Sequence, residues 1–363
     1  MESLSRRRDR KRRNRRIGTA VVALSVAAVA IGGVVRAFNL AEKTQPADEM
    51  QPAPLVAIPI DLGASYVAVG QGSVWVVGED GVSRVDPATE EIVTSLQGHT
   101  PRYTGTGIAV GEGAVWAFEG VNERGGAASI VRIDPATNEV VATIQTDLVA
   151  HFDGGAGPGL WGITTGLGSV WAGSHFGGAV LRIDPATNEV EVIPVSRPVV
   201  HVGAILDGRV WVAATDADMG GCGGRDALIG IDPASGETVL INGSGLVCDE
   251  VRAGFGSLWT NPGGSIVRFD PSTQQRLATI DLGSTIGAAG IEMTIGEDAV
   301  WVALTTPDDE GLVLRIDPQT NQIVGRLHLG TPAKGIAAGE GAVWVTDGLG
   351  TLYRIDPDAV TKS

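Results

Sequence analysis

The residues best suited to chemistry stand in two short segments. DEVRAG (249–254) carries Asp249, Glu250 and Arg252, and IEMTIG (291–296) carries Glu292. Each glutamate lies nine residues ahead of a tryptophan, Trp259 or Trp301. The same count back from the other repeat tryptophans reaches Tyr66, Gly107, Gly162, Val202 and Gly335. Alternation along an extended strand points Glu250 and Arg252 to one side. Two kinds of chemistry fit such a trio. An arginine taken out of water needs carboxylates, so Glu250 and Glu292 would neutralise Arg252 as a buried plug. Alternatively, the trio forms a polar mouth that holds a small ligand or a divalent cation. One position earlier in the same frame stand His201, Asp249 and Lys334. The candidate group is therefore Tyr66, His201, Asp249, Glu250, Arg252, Glu292 and Lys334.

A second set of polar residues falls in longer connecting segments: Tyr103, His151, Asp153 and His175. No two of the histidines have close ligand spacing, so no metal site is predicted from them. No catalytic residue is assigned. Cys222 lies in DADMGGCGGRD and Cys248 lies just before Asp249. In an oxidising compartment these two are expected to form a disulfide that pins a glycine-rich loop.

Positioning these residues falls to a repeat. Trp75, Trp116, Trp171, Trp211, Trp259, Trp301 and Trp344 are each followed by an Asp-Pro pair, with Asp at 86, 134, 184, 232, 270, 317 and 356. Within a unit the pattern reads as four short strands, as in GIAV (107–110), AVWAF (114–118), SIVRID (129–134) and EVVATI (139–144). Glycine-rich and Asp-Pro turns separate them. Units of this length with four antiparallel strands are blades of a propeller. The last unit stops after its third strand, TLYRIDP (351–357), and the first is preceded by LVAIPIDLG (55–63). The N-terminal segment is thus expected to supply the missing strand and remove an exposed edge. The fold class is all-β: a seven-bladed β-propeller over 55–357, closed by an N-terminal strand, with a short C-terminal tail at 358–363.

Antiparallel order places the constant hairpins on one face and the other connections on the opposite face. The Trp-to-Asp spacings of 11, 18, 13, 21, 11, 16 and 12 concentrate length variation on that second face. Loops on a rigid scaffold commonly carry binding. The tryptophans read as core between blades. The recurrent arginine two residues before each Asp (Arg84, Arg132, Arg182, Arg268, Arg315 and Arg354, with Gly230 in the fourth unit) reads as structural pairing.

Residues 1–16 are strongly basic and 17–35 are nineteen residues without a charge. This pattern predicts one transmembrane helix with the N-terminus in the cytoplasm and the rest extracytoplasmic, joined by a linker at 36–54. A cleaved signal peptide and secretion is the alternative. Residues 1–36 hold ten of the 27 basic and two of the 42 acidic residues, leaving 17 against 40, or −23. So acidic a body argues against nucleic-acid partners. The partners expected are the membrane, through the N-terminal helix, and a small molecule, glycan or protein.

The pairing of GxGAVWV with RIDPxTNxVVxTI resembles the bacterial seven-bladed propellers of the YVTN and streptogramin-lyase-like group over about 55–357. The resemblance implies this fold and, as an alternative to a binding module, a metal-dependent lyase or hydrolase using histidines and a glutamate from the later blades. Here His328 falls in an outer strand, and no histidine stands at a matching position.

Overall fold

The computed structural model describes residues 54–361 apart from 61–62, 80, 99–106, 120–128, 147–159, 175–177, 198, 215–225, 243–249 and 284–289. It contains seven four-stranded antiparallel sheets. Six are built from consecutive strands. The seventh takes its outer strand from the other end of the chain: Leu55–Pro59 pairs antiparallel with Thr351–Ile355, from Leu55 opposite Ile355 to Pro59 opposite Thr351. The inner strands pack side by side around a closed ring, blade seven against blade one included. The expected blade number and closure are both present.

Local sequence chemistry explains the hairpins. The turn between the first two strands of a blade needs two successive residues in the left-handed region, as at Glu112 (φ 50°) and Gly113 (φ 79°). This is the geometry of a tight primed turn, which matches strand twist. Blade six manages with Glu297 and Asp298 at 46° and 57°. These tips also join blades: the Glu112 carboxylate accepts from Gly168 N at 3.2 Å, and that of Glu297 from Gly341 N at 3.0 Å. At the Asp-Pro turns, the Asp side chain accepts from two amides of its own turn, as Asp86 does from Ala88 and Thr89 at 2.8 and 3.0 Å. These bonds favour the carboxylate and hold Asp86 below its ordinary pKa.

All seven repeat tryptophans are buried at 2 % exposure or less, in clusters that span neighbouring blades. Five carry an arginine over the ring, from 4.9 Å for Arg268 on Trp259 to 5.5 Å for Arg182 on Trp171. The expected arginine pairing takes a different form from a bond to the neighbouring Asp. The guanidinium instead reaches the Asp-Pro turn of the following blade. Arg84 donates to Pro135 O at 2.6 Å and Asn138 Oδ1 at 2.7 Å, and Arg315 donates to Pro357 O at 2.9 Å. Arg354 closes the circle with an ion pair to Glu90 at 3.7 Å. The fourth blade has Gly230 at this position, and a Cβ there would come 2.8 Å from the Trp211 ring. Tryptophan occupies the space that arginine fills elsewhere.

The C-terminal tail is docked. A single 3-10 turn, Pro357–Ala359, leads to Val360, which is 1 % exposed against blades six and seven. Arg326 N donates to Thr361 O at 3.4 Å. The outer strand of blade six, Gln322–His328, makes room with Gly325, where a Cβ would meet Val360 O at 2.2 Å. Gly325→Ala is expected to lower stability by about 1–3 kcal/mol, the usual cost of overpacking. A urea melt checks this, and an unchanged midpoint would show that the tail is not seated there.

The predicted segment 17–35 lies outside the described residues. Among the described residues, no helix is long and apolar enough to cross a membrane.

Candidate functional site

The ring encloses a cavity of about 230 Å³ on its axis, and all seven inner strands contribute to its wall. Most of the lining is small or aliphatic, such as Ala68, Ala109, Ile336 and Ala337. Thr164, Thr165 and Thr294 add hydroxyls. The ionisable lining residues are Tyr66, Arg252 and Glu292. They come from the inner strands of blade one (Tyr66–Gly70), blade five (Val251–Gly254) and blade six (Ile291–Gly296). Tyr66 and Glu292 lie near the strand ends that the variable connections enter.

Arg252 stands directly opposite Trp259 in the blade-five sheet and lines the cavity. Behind it lies a buried cluster drawn from three blades. Glu250, 2 % exposed, forms an ion pair with Arg252. Its other oxygen accepts from Met293 N of blade six at 2.7 Å. Arg252 Nε donates to Met293 O at 3.0 Å, and Nη1 lies 3.1 Å from Nε2 of His201 in blade four. The guanidinium thus stitches blades four, five and six together from the inside. The plug expectation holds for Glu250.

His201 enters this cluster through an irregularity in the strand Val199–Leu206. Register shifts between Val199 and His201 and again between Val202 and Ala204. Such bulges re-aim side chains. His201 is 4 % exposed, and Gly203 takes the place on the cavity wall. A Cβ at Gly203 would lie 2.1 Å from His201 Cε1 and 2.4 Å from Arg252 Nη1, so glycine is required for the contact. A further bulge between Trp161 and Ile163 displaces Gly162 in the same way. Counting back from tryptophan therefore fails in blades three and four. Gly162 and Val202 are not cavity-lining residues, and Gly203, Thr165 and Ile108 are.

Burial, and secondarily the Arg252 charge, hold the His201 imidazole well below its ordinary pKa of 6.5. The unfolded chain then binds a proton near 6.5 that the folded chain refuses. This contribution to stability is fully present above about pH 6.5 and is lost as pH falls through the window beneath it. His201→Asn is expected to flatten the loss of urea midpoint between about pH 6.5 and pH 5. A variant with the parent's slope would contradict the buried neutral imidazole. Tyr66 is shifted the other way, to about 12, by burial and then by the Glu292 charge, and so keeps its phenolic proton.

Lys334 is exposed, with its stem against Gly348, and lies outside the cavity lining. It immediately precedes the inner strand Gly335–Gly339. Asp249, Tyr103, His151, Asp153, His175, Cys222 and Cys248 lie outside the described residues. Among the described residues, no group of three or more His, Cys, Asp or Glu is arranged to hold a metal ion.

The fold and this axial cavity define the chain as a seven-bladed β-propeller. No family model and no curated protein sequence matches it. Solved structures match widely. The structure of U3-55K aligns with a TM-score of 0.62 at 10% identity over 84% of this chain and 99% of that one. The RRP9 WD40 repeats align at 0.61 and 11% identity, over 84% and 98%. The extracellular domain of BT4673 from B. thetaiotaomicron aligns at 0.58 and 16% identity, over 84% of this chain but 43% of that one. At these identities the likeness is one of fold.

Proposed function

We propose that this chain is a membrane-anchored binding propeller that faces away from the cytoplasm and takes its ligand or partner at the variable-loop face, around the mouth of the axial channel. The segment 17–35 is the anchor, with residues 1–16 in the cytoplasm and 36–54 as linker. The group it fits best is the YVTN and streptogramin-lyase-like propellers whose repeat it resembles. One observation carries the reading: within a channel walled by small and aliphatic residues, the charged side chains Arg252 and Glu292 and the phenol of Tyr66 converge from three different blades. The constant face, by contrast, is occupied by tight hairpins and by the arginine bridges between blades.

The test has two arms. Protease added to intact cells is expected to digest a tag placed after Ser363, and a protected tag would overturn the topology. N-terminal sequencing of the same material separates an intact anchor from a cleaved signal. In the second arm the full chain is screened by thermal shift against glycans, peptides and divalent cations. A stabilising ligand is expected to lose its effect in Glu292→Ala. A ligand whose shift survives that change, and changes at Tyr66 as well, would place binding elsewhere.

A further inference from the structure

We propose that the outer strand of blade four, Thr238–Asn242, pairs edge to edge with the same strand of a second copy of this chain. The proposal concerns the rim of the ring and stands apart from the channel mouth. Each blade ends in an outer strand with a neighbour on one side only of its sheet. Such an edge offers unpaired N–H and C=O groups to other chains. Folded proteins blunt it with a bulge, a proline or a charge.

Every blade but the fourth carries a bulge or a proline there. Register shifts put a bulge in the outer strands of blades one, two, five and six. In blade six the C-terminal tail also bonds to the edge, through Arg326 N and Thr361 O. Blades three and seven pair without a shift. In blade three, Asp184 N donates to Glu189 O and Val195 N to Gly178 O. The antiparallel alternation then turns the backbone groups of Val190, Val192 and Pro194 outward. Proline has no N–H to offer there. In blade seven, Asp356 N donates to Pro54 O and Ile60 N to Gly350 O, which turns Leu55, Ala57 and Pro59 outward. The third outward position is proline again.

Blade four shares this register without the proline. Its outer strand pairs without a shift, from Ile231 opposite Thr238 to Ala227 opposite Asn242. Asp232 N donates to Glu237 O, so Thr238, Leu240 and Asn242 turn their backbone groups outward. Asn242 stands where blades three and seven have proline, and it keeps its N–H. The strand TVLIN holds no charged residue, and Leu240 is 39 % exposed. Arg197 reaches it at 2.9 Å through the Asn242 side chain, not the backbone. Among the described residues, no backbone bond covers the outer side of this strand.

The same alternation selects the occupant. A second copy turned about a two-fold axis at Leu240 sets Leu240 against Leu240 and each Thr238 against Asn242. Every outward N–H and C=O of both strands is then paired. The side chains agree, with leucine on leucine, hydroxyl beside amide and no like charges opposed. The same operation at blade three would set Pro194 against Val190 and lose bonds. The acidic body, at −23 beyond residue 36, repels a second copy, but salt screens charges more than about 10 Å apart at 0.1 M. Two five-residue strands form a small contact, so the dimer is weak and exchanges. Pairing uses up this edge in both copies, so association stops at two.

Disulfide trapping of the full chain in detergent micelles, with copper–phenanthroline as oxidant, tests this. Leu240→Cys is expected to give a covalent dimer. Facing residues of a hydrogen-bonded pair have Cα atoms about 5.5 Å apart, within disulfide range. The parent chain sets the background from Cys222 and Cys248. Val192→Cys, at a position 52 % exposed on the proline-blunted edge of blade three, is expected to stay at that background. Adding Asn242→Pro to Leu240→Cys is expected to cut the yield about fivefold or more. Thr238→Lys should act likewise without altering the backbone. Urea midpoints near the parent's show that the variants are folded. The yield is expected to rise between low salt and about 0.5 M sodium chloride. No dimer from Leu240→Cys overturns the proposal, as does an equal yield from Val192→Cys. A yield that neither Asn242→Pro nor Thr238→Lys reduces overturns it as well. So does a yield that salt lowers, since ion pairs would then hold the copies together.

Discussion

Arg252→Ala is expected to destabilise the ring by about 3–5 kcal/mol, the range seen when one partner of a buried ion pair is removed. The magnitude follows from what is left behind. Glu250 is 2 % exposed and would keep its bond from Met293 N while losing the guanidinium charge paired with it. His201 would lose its guanidinium neighbour, and Met293 O its donor. The double change Glu250→Leu with Arg252→Met should recover most of the loss, because a buried pair exchanged for apolar groups of similar volume is often close to neutral. Urea midpoints of the two variants decide the matter. If the double variant is as unstable as the single one, packing and not charge explains the effect.

Ile58→Asp is expected to be at least as damaging, at about 4 kcal/mol or more, since it places an unpaired carboxylate in a core. Ile58 is 5 % exposed and packs with Val74, Trp344 and Leu352, where blade seven meets blade one. Its strand is held to Thr351–Ile355 by five register pairs, with Ile60 N bonded to Gly350 O at 2.7 Å just beyond. Releasing that strand bares the edge of the third strand of blade seven, and an unpaired edge recruits other chains. Size-exclusion chromatography should therefore show concentration-dependent oligomers together with the lower midpoint. A monomer of parental stability would mean that the ring does not depend on this closure.

Much of this was legible in the residues. The tryptophan and Asp-Pro anchors fixed blade number because each blade needs the same core residue and the same turn. Closure was legible because TLYRIDP ends one strand short while LVAIPIDLG stands spare at the other end. The Glu250–Arg252 pair followed from alternation along a regular strand. Three features were hidden for physical reasons. Bulges at Gly162 and around Val200 and Gly203 break the two-residue period, so His201 could not be placed by counting. The arginine bridges join residues about fifty positions apart, such as Arg84 and Pro135, so no local spacing announces them. Docking of Val360 depends on the absence of a Cβ at Gly325, and a lone glycine in a strand more often marks a bulge or a bend.

One end of the ring is held by repeated turns and bridges, and the proposed site lies at the other, around the axial opening. Hydrogen–deuterium exchange of the full chain, with and without a ligand found by the thermal-shift screen, tests this division most directly. Protection is predicted in the inner-strand segments 66–70, 250–254 and 291–295, with the hairpins at 111–114 and 296–299 unchanged. Protection confined to those hairpins, or to the outer strands, would contradict it.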